Sequence, residues 1–264
     1  MMSRTLNLLG ALLVAATMAA CGGGGGRAAT APPVAPVPAD PATLSVLMFG
    51  NSHTVLNNLP GMLSAMLTAG RPGKTFSVVA APGYLTLEER RHDAASLALM
   101  SRQKWSAIVF QAQQYSLSGD FVYSIDEAVD LVRMTRLAGT VPVMFPEWPR
   151  FGVDETERIF DLHVSIARLQ AACVAPIPQA FDRAALQYPT LVLHNVDGNH
   201  SSPAGAFLAA LVLYATLTGN SAGALPLLPA FAIDGATQAR LRAVADEQML
   251  ATPPRTWCPG DVVL

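Results

Sequence analysis

The sequence predicts an α/β fold in which a parallel sheet is sandwiched between two layers of helices. Three observations carry this. Short, nearly continuous apolar runs recur at 44–49, 75–80, 105–110 and 141–145, with a fifth candidate at 174–178. Segments with helical period separate them. Most of the runs end in small, polar or turn-forming residues. Runs of this length without polar alternation read as strands buried on both faces. Strands that alternate with helices imply right-handed crossovers and a parallel sheet.

Each element can be justified in turn. The strand at 44–49 stops at Gly50, and the polar cluster Asn51-Ser52-His53-Thr54 follows at once. The period then becomes helical. Asn57 or Asn58 can cap, Pro60 suits the first turn, and Leu63, Met66 and Leu67 share one face up to Gly70. After the strand at 75–80, Pro82-Gly83 makes a turn. Thr86 with Glu89 is a capping-box signature for a helix running to about Arg102. The strand at 105–110 ends in Gln111-Ala112-Gln113-Gln114. A helix at 125–137 is closed by Gly139, and the strand at 141–145 leads into Pro146-Glu147-Trp148-Pro149-Arg150. Asp154 opens a helix to about Cys173, followed by the fifth candidate strand and a short helix. Beyond the loop at 195–202, Ser202 caps and Pro203 starts a helix at 204–218 that Gly219 ends. A last helix covers 237–249.

Composition narrows the function. The 264 residues are 51% hydrophobic and 14% charged, with a formal net charge of −2. That is enough chain for one sizeable core, and there is no internal repeat and no second folded domain. No basic patch points to nucleic acid. No cofactor or metal motif stands out; His194, Asp197 and His200 match no strong ligand spacing.

The N-terminal segment resembles a bacterial lipoprotein signal. Arg4 precedes an apolar stretch at 6–16 that is too short for an ordinary membrane span. It ends in Met18-Ala19-Ala20-Cys21. The resemblance implies cleavage before Cys21 and acylation of that cysteine. Gly22–Gly26 and the Ala/Pro-rich stretch to Pro41 would then form a flexible, then stiffer, tether. The expected organisation is a signal over 1–21, a tether over 22–42 and a folded domain over 43–264. That places the protein in the cell envelope, lipid-anchored and facing the periplasm or the surface. In an exported domain, Cys173 and Cys258 could pair.

Three successive strand ends carry polar or turn residues: Asn51–Thr54, Pro82–Gly83 and Gln111–Gln114. In open α/β sheets this is the edge where ligands bind. Asp197-Gly198-Asn199-His200 precedes the well-capped helix at 204–218. An Asp and a His three residues apart can share a hydrogen bond that fixes the imidazole tautomer. Taken alone, such a pair is more often a turn leading into a helix.

Together the four segments resemble the SGNH hydrolases, the GDSL-type esterase and lipase superfamily, and within it a bacterial branch beginning Gly-Asn-Ser-His-Thr. The resemblance spans roughly Ser45 to Gly219. It implies a five-stranded parallel sheet between helices, with Ser52 as nucleophile, His200 as general base and Asp197 as its orienting partner. The Ser52 and Gly83 backbone N–H groups would form the oxyanion hole. The family's third block places an Asn at the position of Gln113, which carries the same amide on a longer arm and would complete that hole. Asn51 stands where the commoner version has Asp. Asn51, His53 and Trp148 are further candidates for contact with substrate, and Arg150 lies at the same edge. A serine hydroxyl needs a neutral imidazole to take its proton, and the tetrahedral intermediate needs fixed donors.

A rival serine lies in Gly219-Asn220-Ser221-Ala222-Gly223. That pattern requires a preceding strand and a downstream histidine. A helix precedes it and no histidine lies beyond His200. His92 and His163 sit in helical patterns with charged neighbours and read as surface residues. The expectation is thus an envelope-anchored serine hydrolase acting on small-molecule or carbohydrate esters, acetyl esters among them. The alternatives are a non-catalytic binding lipoprotein of the same fold and an acyltransferase using the same site.

Overall fold

The first strand, β1 (Thr43–Phe49), sends Val46 and Met48 into one core and Leu47 and Phe49 into another, and all four are fully buried. The same alternation holds in β3 (Ala107–Phe110) and β4 (Val141–Met144), where Val109 and Val143 face the first core and Phe110 and Met144 the second. Alternating side chains on a sheet covered on both faces account for the unbroken apolar runs. β2 (Thr75–Ala80) and β5 (Cys173–Val174) complete a five-stranded parallel sheet in the order β2-β1-β3-β4-β5. These facts come from a computed structural model, which describes residues 43–264. The expected signal segment, the expected lipid anchor at Cys21 and the expected 22–42 tether lie outside the described residues.

The sheet order fixes where a ligand can sit. The chain moves outward from β1 to β2, then crosses to β3 on the other side of β1. The carboxyl ends of β1 and β3 therefore flank a topological switch point, where outgoing segments diverge and leave a crevice.

On one face lie α2 (Leu59–Gly70), α7 (Ile177–Gln187), α8 (Pro203–Thr218) and α9 (Gly235–Ala251). α8 is buried from Gly205 to Thr218, as an all-round apolar helix must be. Ser202 caps it through a 3.2 Å bond from the Gly205 N–H. The other face is covered by α3 (Leu87–His92), α4 (Ala94–Ser101), α5 (Asp126–Leu137) and α6 (Thr156–Leu169). A four-residue helix, α1 (Ser52–Val55), follows β1 directly. Among the described residues no helix is long and apolar enough to cross a membrane.

Several boundaries differ from expectation. The single helix expected over 86–102 is two. The Thr86–Glu89 capping box starts α3, but Asp93 leaves helical geometry and its carboxylate caps α4 through the Ser96 N–H at 2.8 Å. The fifth strand is two residues long rather than five. Pro176 and Pro178 offer no N–H to a ladder, and α7 already begins at Ile177. α6 ends at Leu169 rather than near Cys173. Asn58 precedes α2 in the left-handed region and makes no side-chain cap, while Asn57 reaches away to the Ser201 carbonyl at 2.7 Å.

Cys173 and Cys258 are joined in a disulfide, with Cα atoms 5.0 Å apart. It ties the C-terminal segment to β5. Close by, Arg136 grips Asp261 with two bonds of 2.6 and 2.7 Å.

Candidate active site

Ser52 is the first residue of α1, immediately beyond the end of β1. Asn51 caps that turn: its Oδ1 accepts from the His53 N–H at 3.0 Å. Gly50 is dictated by space, because a Cβ there would collide with Thr54 Oγ1 and Gln111 Oε1. The strand can therefore end only at a glycine, and Ser52 follows two residues on.

His200 reaches Ser52 from a loop 148 residues later: its Nε2 lies 2.9 Å from Ser52 Oγ. Its Nδ1 lies 2.6 Å from Asp197 Oδ2. An ionised carboxylate only accepts, so Nδ1 carries the hydrogen and Nε2 is free to accept the serine proton. Asp197 Oδ1 accepts from the N–H groups of Asn199 and His200, both at 2.9 Å. The hydrogen bond from His200, then those two backbone donors, lower the Asp197 pKa to about 2. Gly198 adopts φ +68°, which turns the chain between the two residues. The loop is pinned by Trp148 Nε1 to the Asn199 carbonyl at 2.8 Å and by Phe151 N–H to the Gly198 carbonyl at 2.8 Å.

Gly83 lies in the exposed turn after β2 with φ +82°. Among the described residues neither its N–H nor that of Ser52 has an intramolecular acceptor. Beneath the turn is Arg90, 1% exposed. Its Nη1 donates to the Pro82 carbonyl at 2.7 Å, and its Nη2 to the Gly83 and Gly50 carbonyls at 2.9 and 3.1 Å.

Gln111, fully buried, organises the end of β3. Its Oε1 accepts from the Asn51 N–H and from Thr54 Oγ1, both at 2.9 Å, and its Nε2 donates to Glu147 Oε2 at 2.8 Å. Burial raises the Glu147 pKa, against the pull of nearby His53, whose Nδ1 lies 3.8 Å away. Gln111, Glu147 and Arg90 were not singled out as site residues from sequence. The available signal was a glutamine directly after one buried strand and a glutamate three residues after another, where an unpaired polar group would be costly. Ala112 next to Gln111 adopts φ +75°, a backbone state that alanine enters only at a cost.

Three sequence expectations need correction. Gln113 does not point its amide at the site: its Nε2 donates to the Gln114 and Ser124 carbonyls at 3.1 and 3.0 Å, which uses both of its hydrogens. Trp148 is 1% exposed and stacks on Phe181 at 5.1 Å, so it braces the 197–200 loop from the core and offers almost no surface to a ligand. His163 is buried, not on the surface. It lies on the apolar stripe of α6 with Ile159 and Phe160, its Nδ1 2.8 Å from the Ile159 carbonyl.

Of the remaining candidates, His53 packs its ring on that of His200 and bonds Asn51 Oδ1 through Nδ1 at 3.2 Å. Arg150 is turned onto Glu155, with Nη2 2.8 Å from Oε2. His194 Nε2 lies 2.8 Å from the Pro149 carbonyl. Ser221 donates to Asp246 at 2.5 Å, beside the left-handed cap Gly219. A cavity of about 810 Å³ borders the 197–200 loop at Gly198, but neither Ser52, Gly83 nor His200 lines it.

No protein-family description matches this chain, and no curated protein matches it. Solved structures do. A protein described as an SGNH hydrolase from Slackia heliotrinireducens is 26% identical, with a TM-score of 0.53, over 66% of this chain and 98% of its own. A DUF4886 family protein from Bacteroides uniformis is 20% identical, with a TM-score of 0.65, over 80% of this chain and 96% of its own. A family 3 carbohydrate esterase from Clostridium thermocellum is 12% identical, with a TM-score of 0.51, over 65% of this chain and 94% of its own. The chain has the SGNH-hydrolase fold: a five-stranded parallel sheet between two helical layers.

Proposed function

We propose that this protein is a serine hydrolase of ester bonds that works through an acyl-enzyme on Ser52. The observation that supports it best is the continuous chain from Ser52 Oγ through His200 to Asp197, with bonds of 2.9 and 2.6 Å. In the first step Ser52 Oγ attacks the ester carbonyl while His200 Nε2 takes its proton. Asp197 holds the imidazolium that results. The carbonyl oxygen becomes an oxyanion, received by the N–H groups of Ser52 and Gly83. As the intermediate collapses, the C–O bond to the alcohol breaks and His200 returns the proton to the departing oxygen. Water, deprotonated by His200, then releases the acid and restores Ser52.

The substrate class proposed is a small-molecule or carbohydrate ester, acetyl esters included. The likeness to a carbohydrate esterase favours it, as does a nucleophile at an open sheet edge. The protein is proposed to be exported and held in the cell envelope by a lipid on Cys21, on the strength of the signal-like N-terminus and its Gly/Pro tether. A Cys21→Ser variant should then leave the membrane fraction.

The test of the activity is labelling with a fluorophosphonate, followed by turnover of p-nitrophenyl esters of increasing chain length. Label on Ser52 with preference for short acyl groups is the expected result. An acyltransferase would give the same label but place the acyl group on an added sugar hydroxyl. A binding protein would give neither label nor turnover.

A further inference from the structure

Arg90 is a buried cation without an ion pair. Among the described residues no carboxylate lies within ion-pair distance of it. Its guanidinium instead spends four hydrogens on the Pro82, Gly83 and Gly50 carbonyls and on Ser96 Oγ, the last at 3.1 Å. Phe49 lies under it, 5.2 Å from ring centroid to Cζ. Burying a charge without an ion pair is costly even when hydrogen bonds offset part of the penalty, so the arrangement points to a role for the geometry it enforces.

That geometry concerns the oxyanion hole. All described peptide bonds are trans. In a planar trans peptide the C=O and the following N–H point in opposite directions. Because the Pro82 carbonyl points into Arg90, the Gly83 N–H must point away from it, out of the exposed turn. The positive φ of Gly83 then folds the next carbonyl back onto the same guanidinium. The bond to the Gly50 carbonyl fixes this turn to the end of β1, two residues before Ser52. One rigid planar group thus joins the two segments that carry the free N–H groups.

We propose that Arg90 is the positioning residue of the oxyanion hole, holding the Gly83 N–H in register with the Ser52 N–H. The inference rests on the acyl-enzyme reading of Ser52. Losing one oxyanion donor typically costs about 10²–10³ in kcat. Arg90→Met, which removes the fork, should approach that loss with KM nearly unchanged. Arg90→Lys keeps the charge but cannot span three carbonyls, so it should fall between Arg90→Met and the native protein.

The deciding readout is the affinity for a trifluoromethyl ketone, which forms a tetrahedral oxyanion on Ser52. It should weaken in step with kcat in both variants, each checked for folding by circular dichroism. If Arg90→Met does not fold, Arg90→Lys alone carries the comparison. Folded variants with unchanged kcat and ketone affinity would overturn the proposal. So would a fall in kcat with ketone affinity intact, the pattern of a merely structural role. Failure of the native protein to turn over esters or bind the ketone would instead sink the acyl-enzyme reading itself.

Discussion

His53 lies against His200 with their rings 4.9 Å apart and 26° from parallel, so the residue next to Ser52 supports the imidazole proposed as its base. Its other side meets Trp148, 5.2 Å away, and Trp148 in turn holds the Asn199 carbonyl. Two aromatic rings, His53 and Trp148, thus back the His200 imidazole. Such pairs are worth about 0.5–1.5 kcal/mol beyond buried area. His53→Ala should therefore lower kcat by roughly threefold to tenfold through a looser His200, and His53→Phe should recover most of it. Equal loss in both variants would mean that the His53 ring nitrogens, not its face, matter.

The two glutamines after β3 should behave oppositely. Gln113 spends its amide hydrogens on two loop carbonyls, so Gln113→Ala is expected to leave kcat within about twofold, far from the loss of an oxyanion donor. Gln111 links Asn51, Thr54 and Glu147, and Gln111→Leu leaves buried groups unpaired. A stability loss of about 2–4 kcal/mol should follow, since each stranded group costs about 1–3 kcal/mol. Urea denaturation and steady-state kinetics on the same two variants would check both statements.

The two residues mark what could be read from sequence. The strands were legible because a sheet covered on both faces imposes uninterrupted apolar runs. Ser52, Asp197 and His200 were legible as types at strand and loop ends. Their meeting across 148 residues depends on the sheet order, which periodicity does not encode. Gln113 was misplaced because the direction of a side chain after a strand is set by the left-handed Ala112, and nothing in the sequence signals that an alanine will adopt it. His163 was misread because its charged neighbours on α6 hid its place on the apolar stripe. Arg90 stands among several charges in Glu-Glu-Arg-Arg-His, and nothing in that run signals the Pro82, Gly83 and Gly50 carbonyls it holds.

His163 sets a pH window for stability. Burial lowers its pKa to about 4 from the ordinary 6.5, and among the described residues its Nε2 has no hydrogen-bond partner. Between those values the unfolded chain binds a proton that the folded protein does not. Stability contributed here is therefore full above about pH 6.5 and is lost as pH falls towards 4, by at most about 3 kcal/mol. His163→Leu should flatten this part of the curve, measured as urea midpoints at successive pH values. A midpoint that falls equally in the native protein and the variant would assign the loss to other groups.

The disulfide closes a long loop, Cys173 and Cys258 being 85 positions apart in sequence. Cys258→Ser is expected to cost about 3–5 kcal/mol through the freed unfolded chain. Because the bond joins β5 to the C-terminal segment and touches neither Ser52 nor His200, kcat at low temperature should survive. A matching loss of kcat in protein that is still folded would show that the tail shapes the site.

The strongest demands fall on the triad. Asp197 stays ionised down to about pH 2 because His200 and two backbone N–H groups hold its carboxylate. Asp197→Asn keeps the shape but favours the wrong imidazole tautomer, and a fall of about 10³–10⁴ in kcat is expected. Ser52→Ala and His200→Ala should each lower kcat by about 10⁵–10⁶, and the double variant should be scarcely worse, since the pair acts as one unit. Losses that multiply in the double variant would mean that the 2.9 Å contact between Ser52 and His200 carries no proton during turnover.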